Sequence, residues 1–168
     1  MRRVVWPAAA AVLVALIVFE VATAGNGGND GRPAPPLPER VLQGPKVSLA
    51  DLRGHPVLID FFASWCEPCR EEAAELARLS RSAGHGAKVI AVDYTDREDS
   101  ARAFLARYDW TFPVLSDPDG VYGARYGFSG LPTAVVLDRE GRIAATLRGP
   151  QKLAALRRVL AEAGAQRG

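Results

Sequence analysis

Cys66 and Cys69 are the only thiols in the chain, and they stand with two residues between them in "ASWCEPCREE". A pair this close admits three kinds of chemistry: half of a metal site, a structural disulfide, or a dithiol that cycles between reduced and oxidised forms. Zinc takes four ligands from Cys, His or carboxylate, usually as two close pairs. The chain offers one Cys pair, and His55 and His85 lie in separate Gly- or Pro-flanked stretches, so a zinc ribbon would need a second molecule. A structural clip is weak for another reason: loop-closure stabilisation grows with loop length, and this bond closes a very small loop.

The redox reading depends on what positions the pair. "PVLIDFFA" is a continuous apolar run, the pattern of a strand buried on both faces. "EPCREEAAELARLSRSA" then places Ala73, Leu76, Ala77 and Leu79 at helical spacing, with Gly84 as a stop signal. Pro68 falls in the first turn, where its missing N–H costs nothing. Cys66 therefore sits at a helix N-terminus, where free N–H groups and the macrodipole favour a thiolate. Cys69 lies one turn along on the same face. The expectation is an exposed, low-pKa attacking thiol beside a partly buried resolving one, the minimum for thiol–disulfide exchange.

The rest of the chain alternates in the same way. "VLQGPKVSLADL" reads as a short hairpin turning at Gly44-Pro45. "AKVIAVDY" is a second buried strand, and "REDSARAFLARY" is a helix with Ala103, Phe104 and Ala106 inward, capped from Thr95 or Asp96. "FPVLSD" is extended, "GVYGARYGF" holds one or two helical turns, and "TAVVLD" and "RIAATLRG" are strands joined by "DREG". "QKLAALRRVLAEAG" closes the chain as an amphipathic helix. Strands alternating with helices predict an α/β fold, a three-layer α/β/α sandwich with a mixed central sheet.

Ahead of this domain the composition changes. Arg2 and Arg3 precede an uncharged run from Val4 to Phe19, and Ala22, Thr23 and Ala24 form an A-x-A site. Residues 1–24 therefore read as a signal peptide or an N-terminal membrane anchor. Under either reading the positive-inside rule places the domain outside the cytoplasm, tethered to the membrane if the leader is uncleaved. Residues 25–40 are rich in Gly and Pro and read as a linker, leaving 41–168 as the folded domain. The net charge is +2, with Lys and Arg interspersed among Asp and Glu, which excludes a nucleic-acid groove.

These residues carry a family resemblance. "VLIDFFASWCEPCREE" resembles the active-site strand, loop and helix of the thioredoxin superfamily, and "GLPTAVVLDREGRI" resembles its cis-proline segment and final hairpin. "PPLPERVLQGPKVSLADLRGHP" and "FPVLSDPDGVYGARYGFSG" are similar to the exported thiol–disulfide oxidoreductases of the TlpA, ResA and DsbE type. The resemblance implies a thioredoxin-like fold and a redox-active Cys66–Cys69 pair. It makes Pro132 a cis-proline facing the disulfide, and the Leu131 backbone the partner of an extended substrate segment.

Supporting residues follow. A carboxylate at Asp60, within "VLIDFF", is expensive to bury unless paired or protonated. It is a candidate proton acceptor for Cys69, against the alternative that it reaches water or a loop partner. The exported subgroup commonly carries a neutral residue at this place. Glu72, by resemblance to the ResA-like group, tunes the cysteine pKa values, although acidic residues early in a helix are also common for dipole reasons. Trp65 is a candidate for the apolar rim around the attacking sulfur, with simple packing as its alternative.

Together these residues predict a thiol–disulfide oxidoreductase that needs no cofactor and no metal. Its substrates are protein disulfides or dithiols, with apocytochrome c cysteines a candidate suggested by the resemblance. Its electrons come from a membrane or thioredoxin-like donor, because the compartment outside tends to oxidise thiols. An oxidant running in the opposite direction is the principal rival. A copper metallochaperone or a non-catalytic binding module on the same fold is another, although copper-binding relatives use a C-x-x-x-C pair with a distant His. A peroxiredoxin fits less well, because "SWCEPC" lacks a peroxidatic cysteine in a Pro-rich loop ahead of the helix.

Overall fold

The computed structural model describes residues 26–27 (backbone only), 31–82, 86–127 and 129–165. The expected leader over 1–24, Trp6, Gly84 and His85 lie outside the described residues. Among the described residues, no helix is long and apolar enough to cross a membrane.

Among the described residues, seven strands form one mixed sheet: β1 (Asn26–Gly27), β2 (Val41–Gln43), β3 (Val57–Phe62), β4 (Lys88–Tyr94), β5 (Val114–Asp117), β6 (Thr133–Leu137) and β7 (Ile143–Arg148). Their spatial order is β1-β7-β6-β3-β4-β5-β2. β3, β4 and β5 run parallel, whereas β6 lies antiparallel to β3 and β7 antiparallel to β6. Parallel neighbours need helical crossovers. Two supply them: α2 (Glu67–Ser82) between β3 and β4, and α3 (Glu98–Arg107) between β4 and β5. α1 (Leu49–Leu52) precedes β3, α4 (Val121–Tyr126) follows β5, and α5 (Leu153–Ala165) ends the described chain.

All six residues of β3 are buried because both sheet faces are covered. Leu58 and Phe62 point to one side, into a core with Leu76 and Leu79 of α2, Phe104 of α3 and Leu156 of α5. Ile59 and Phe61 point to the other, into a core with Leu52 of α1, Tyr126 of α4 and Leu37. That alternation is the period-two geometry of a strand packed between two helical layers. The fold is the expected three-layer α/β/α sandwich.

Three local expectations are corrected. The predicted hairpin over 41–52 is absent: β2 pairs antiparallel with β5 instead. Ser48 then caps α1 in a capping box, accepting from the Asp51 N–H while the Asp51 carboxylate accepts from the Ser48 N–H. In α3 the buried residues are Ala101, Phe104 and Leu105, whereas Ala103 and Ala106 are exposed. The helix starts from Arg97, which makes no side-chain cap bond, and Asp96 is used elsewhere. Finally, the stretch read as linker is not uniform. Residues 31–40 lie along the domain, where Leu37 is buried, the Ala34 N–H bonds the Gly141 carbonyl, and the Tyr126 hydroxyl donates to the Pro35 carbonyl.

Candidate active site

At the end of β3 the chain turns through residues 63–66 into α2. Cys66 immediately precedes the first helical residue, Glu67, and its sulfur accepts the Cys69 N–H at 3.2 Å. A sulfur placed where a capping side chain would sit meets both a free N–H and the positive end of the helix dipole. Both favour thiolate over thiol when the pair is reduced. Here Cys66 and Cys69 are joined by a disulfide, with Cα atoms 5.3 Å apart.

The expectation of an exposed attacker is modified. Cys66 and Cys69 are 5% and 3% exposed, so both are buried. The asymmetry lies in the cleft: a cavity of about 550 Å³ is lined by Cys66 but not by Cys69. Its other walls are Trp65, Glu67 and Pro68 on the cysteine side, then Tyr94, and then Ser129, Gly130 and Leu131. Another cavity, of about 410 Å³, lies between Pro56, Arg139, Leu160 and Gly164; neither cysteine lines it, and its Ser82 hydroxyl donates to the Leu79 carbonyl.

The sequence candidates occupy three places. Trp65 is 58% exposed on the rim, and Leu131 is half-buried in the opposite wall. Pro132, whose bond to Leu131 is cis, lies buried behind that wall, and its carbonyl accepts from the Gly149 N–H. Asp60 and Glu72 sit deeper, in the layer between the sheet and α2. Asp60 projects from β3 between Ala91 of β4 and Ala134 of β6, two small neighbours that leave room for a carboxyl. Glu72 stands one turn beyond Cys69 on the buried face of α2.

Both carboxyls are 1% exposed, and Asp60 Oδ1 and both Glu72 oxygens lack hydrogen-bond partners. Burial is the main reason that Asp60 titrates well above its ordinary range, and the nearby Glu72 charge raises it further. Burial likewise pushes Glu72 up to about 7. The Gln151 amide offsets part of that rise from nearby, without reaching hydrogen-bonding geometry. Two carboxyls that resist ionisation thus share this layer, and Glu72 lies one helical turn from Cys69.

Tyr94, Ser129, Gly130 and the loop that follows β4 were not singled out from sequence. That loop holds the approach to Cys66. The Ser64 N–H donates to Asp96 Oδ2 at 2.6 Å, while Arg70 donates to the Ser64 carbonyl at 3.0 Å. The Trp65 indole N–H reaches the Thr95 carbonyl at 3.4 Å. Thr95 has φ of 48°, a left-handed conformation that costs a β-branched residue energy and that the surroundings must enforce. The residue types carry a weak signal: polar Thr95-Asp96 follows a buried strand, which marks the C-terminal edge of a parallel sheet, where sites gather.

The AhpC/TSA family model matches residues 31–146. The thioredoxin-like protein YneN of Bacillus subtilis is 39% identical over 120 residues, covering 70% of each chain. The thiol-disulfide oxidoreductase ResA of Bacillus thuringiensis is 31% identical over 122 residues, covering 72% of this chain and 70% of ResA. A crystal structure of a Chlorobium tepidum protein described as the thiol:disulfide interchange protein DsbE superposes with a TM-score of 0.71 at 31% identity. That match covers 82% of this chain and 99% of the other.

Proposed function

The chain belongs to the AhpC/TSA family and is a thiol–disulfide oxidoreductase of the thioredoxin fold, and we propose that it reduces disulfides of proteins outside the cytoplasm through Cys66 and Cys69. The observation that carries this reading is the Cys66 sulfur at the head of α2, receiving the Cys69 N–H beside a cleft that Cys66 lines.

In the reduced protein, the Cys66 thiolate attacks one sulfur of a substrate disulfide. A mixed disulfide forms, and the other substrate sulfur leaves as a thiolate. Cys69 then gives its proton to the Asp60–Glu72 pair and attacks the Cys66 sulfur, releasing the second substrate thiolate. Two electrons have passed to the substrate, and the Cys66–Cys69 disulfide remains. A membrane-bound or thioredoxin-like dithiol donor returns the electrons.

An extended substrate segment lies along the backbone of Leu131, with Trp65 on the opposite rim. The leader expected over 1–24 supports work outside the cytoplasm, and apocytochrome c cysteines are candidate substrates through the family resemblance of the active-site and cis-proline segments. The test is the reduction potential of the pair together with turnover on insulin. A potential low enough to reduce insulin supports a reductase. A strongly oxidising potential with no insulin turnover would instead make the protein a disulfide donor.

A further inference from the structure

Asp93 is a buried carboxyl that the thiol chemistry above leaves unused. It lies on β4, in register with Phe62 of β3 and Ser116 of β5. It is 1% exposed, and its Oδ1 has no hydrogen-bond partner. An ionised carboxylate so placed would be costly.

Three charged groups face it from the elements around it. Asp96 comes from the loop after β4, Arg40 from the segment before β2, and Glu98 from the first turn of α3. Arg40 and Glu98 bond each other at 2.6 Å, and Arg102 bonds the same Glu98 at 2.8 Å, so these charges are largely satisfied among themselves. Arg70, from α2, is committed to Glu67 and to the Ser64 carbonyl. The in-register neighbours Phe62 and Ser116 do not titrate in this range.

That leaves two carboxyl groups, Asp93 and Asp96, within hydrogen-bonding reach of each other. Only one can carry the negative charge without repulsion. Asp96 accepts two backbone N–H groups, from Ser64 at 2.6 Å and from Arg97 at 2.7 Å, and is the better home for the charge. Asp93, buried with an unpartnered oxygen, is the better home for the proton. Burial first, and Asp96 second, raise Asp93 to about 7.

We propose that Asp93 is a positioning residue: as the neutral acid it donates a hydrogen bond to Asp96 and so fixes the carboxylate that holds the Ser64 N–H two residues ahead of Cys66. The proposal rests on Cys66 being the nucleophile. As pH rises through about 7, Asp93 loses its proton, the bond gives way to repulsion, and the loop that presents Cys66 loosens.

The test is the rate at which the reduced full chain reacts with a dipyridyl disulfide between about pH 5 and about pH 9. Wild type is compared with Asp93→Asn, which keeps a donor at every pH, and with Asp93→Ala, which has none. The expected result is a wild-type rate that falls about fivefold relative to Asp93→Asn as pH crosses neutrality, the effect of losing one ordinary hydrogen bond. Asp93→Ala is slowed about fivefold at acidic pH, and Asp93→Asn restores that rate. Superimposed profiles for wild type and Asp93→Asn overturn the proposal, and that comparison decides even if Asp93→Ala does not fold. Mass spectrometry of the first adduct separates the premise: labelling of Cys69 before Cys66 contradicts the nucleophile assignment, whereas Cys66 labelling with superimposed profiles contradicts the role of Asp93 alone.

Discussion

Asp60 on β3 and Glu72 on α2 share one buried layer, where burial raises both carboxyls and the Glu72 charge further opposes ionisation of Asp60. One group comes from the strand before the cysteines and the other from the helix after them. In the proposed mechanism this pair takes the proton of Cys69.

Replacing either acceptor slows resolution and leaves attack largely intact. Asp60→Asn and Glu72→Gln are each expected to reduce the rate at which Cys69 clears a mixed disulfide by roughly a hundredfold, the lower end for loss of a positioned base. Quenched-flow measurement of substrate release, with the first-step alkylation rate of Cys66 as a control, checks this. Equal slowing of both steps would point to a general loss of structure.

The same carboxyls make the oxidised protein lose stability as pH rises. Glu72 has an ordinary value of 4.5 and a folded value of about 7, so the native state holds more protons than the unfolded state between those limits. The Glu72 contribution to stability is therefore lost as pH climbs from about 4.5 to about 7. The loss attributable to Glu72 is on the order of 3 kcal/mol. Glu72→Gln should make this slope shallower in denaturant titrations of the oxidised form, with Asp60 and Asp93 keeping their share. A wild-type stability that rises across the same window contradicts the assignment.

A binding role for Trp65 predicts an effect on protein substrates with little structural weight. At 58% exposure its replacement by Ala should change stability by less than about 0.5 kcal/mol. The KM for a protein disulfide should rise severalfold, while the rate with a small disulfide stays near wild type. Steady-state kinetics on both substrates separates the two effects.

Gly120 supports the far wall of the cleft. It has φ of 70°, and a Cβ there would meet the Tyr94 ring and hydroxyl at 2.9 Å. Gly120→Ala is expected to cost about 1–3 kcal/mol through backbone strain and the displaced ring. Because Tyr94 lines the cleft, the KM for protein substrates should also rise. Unchanged melting and kinetics would show that the ring moves aside freely.

The parts of the site that were legible from sequence are those encoded locally. A buried strand, a Cys-x-x-Cys pair and a helix are contiguous, so Asp60, Cys66 and Cys69 could be placed from spacing, and Glu72 by the family resemblance. Tyr94 and Asp96 could not, because they reach the cysteines through the parallel pairing of β3 with β4, which follows a helical crossover. The misread hairpin at 41–52 has a similar cause. Short alternating residues suit either a strand or a helical turn, and the pairing of β2 with distant β5 decided the matter. The Ser48 and Asp51 spacing was the available signal for a helix start. Leu37 stood alone among prolines, with no periodicity to mark it as core, yet it packs with Leu52 and Tyr126.

Trapping of substrate by single-cysteine variants tests the central claim most directly. The Cys69→Ser chain, expressed in cells and resolved without reductant, is predicted to retain a protein partner in a mixed disulfide on Cys66 that reductant releases. Cys66→Ser is predicted to trap none and to lose insulin-reducing activity. Full insulin-reducing activity in both variants, with no partner held by either, would contradict a redox role for the pair.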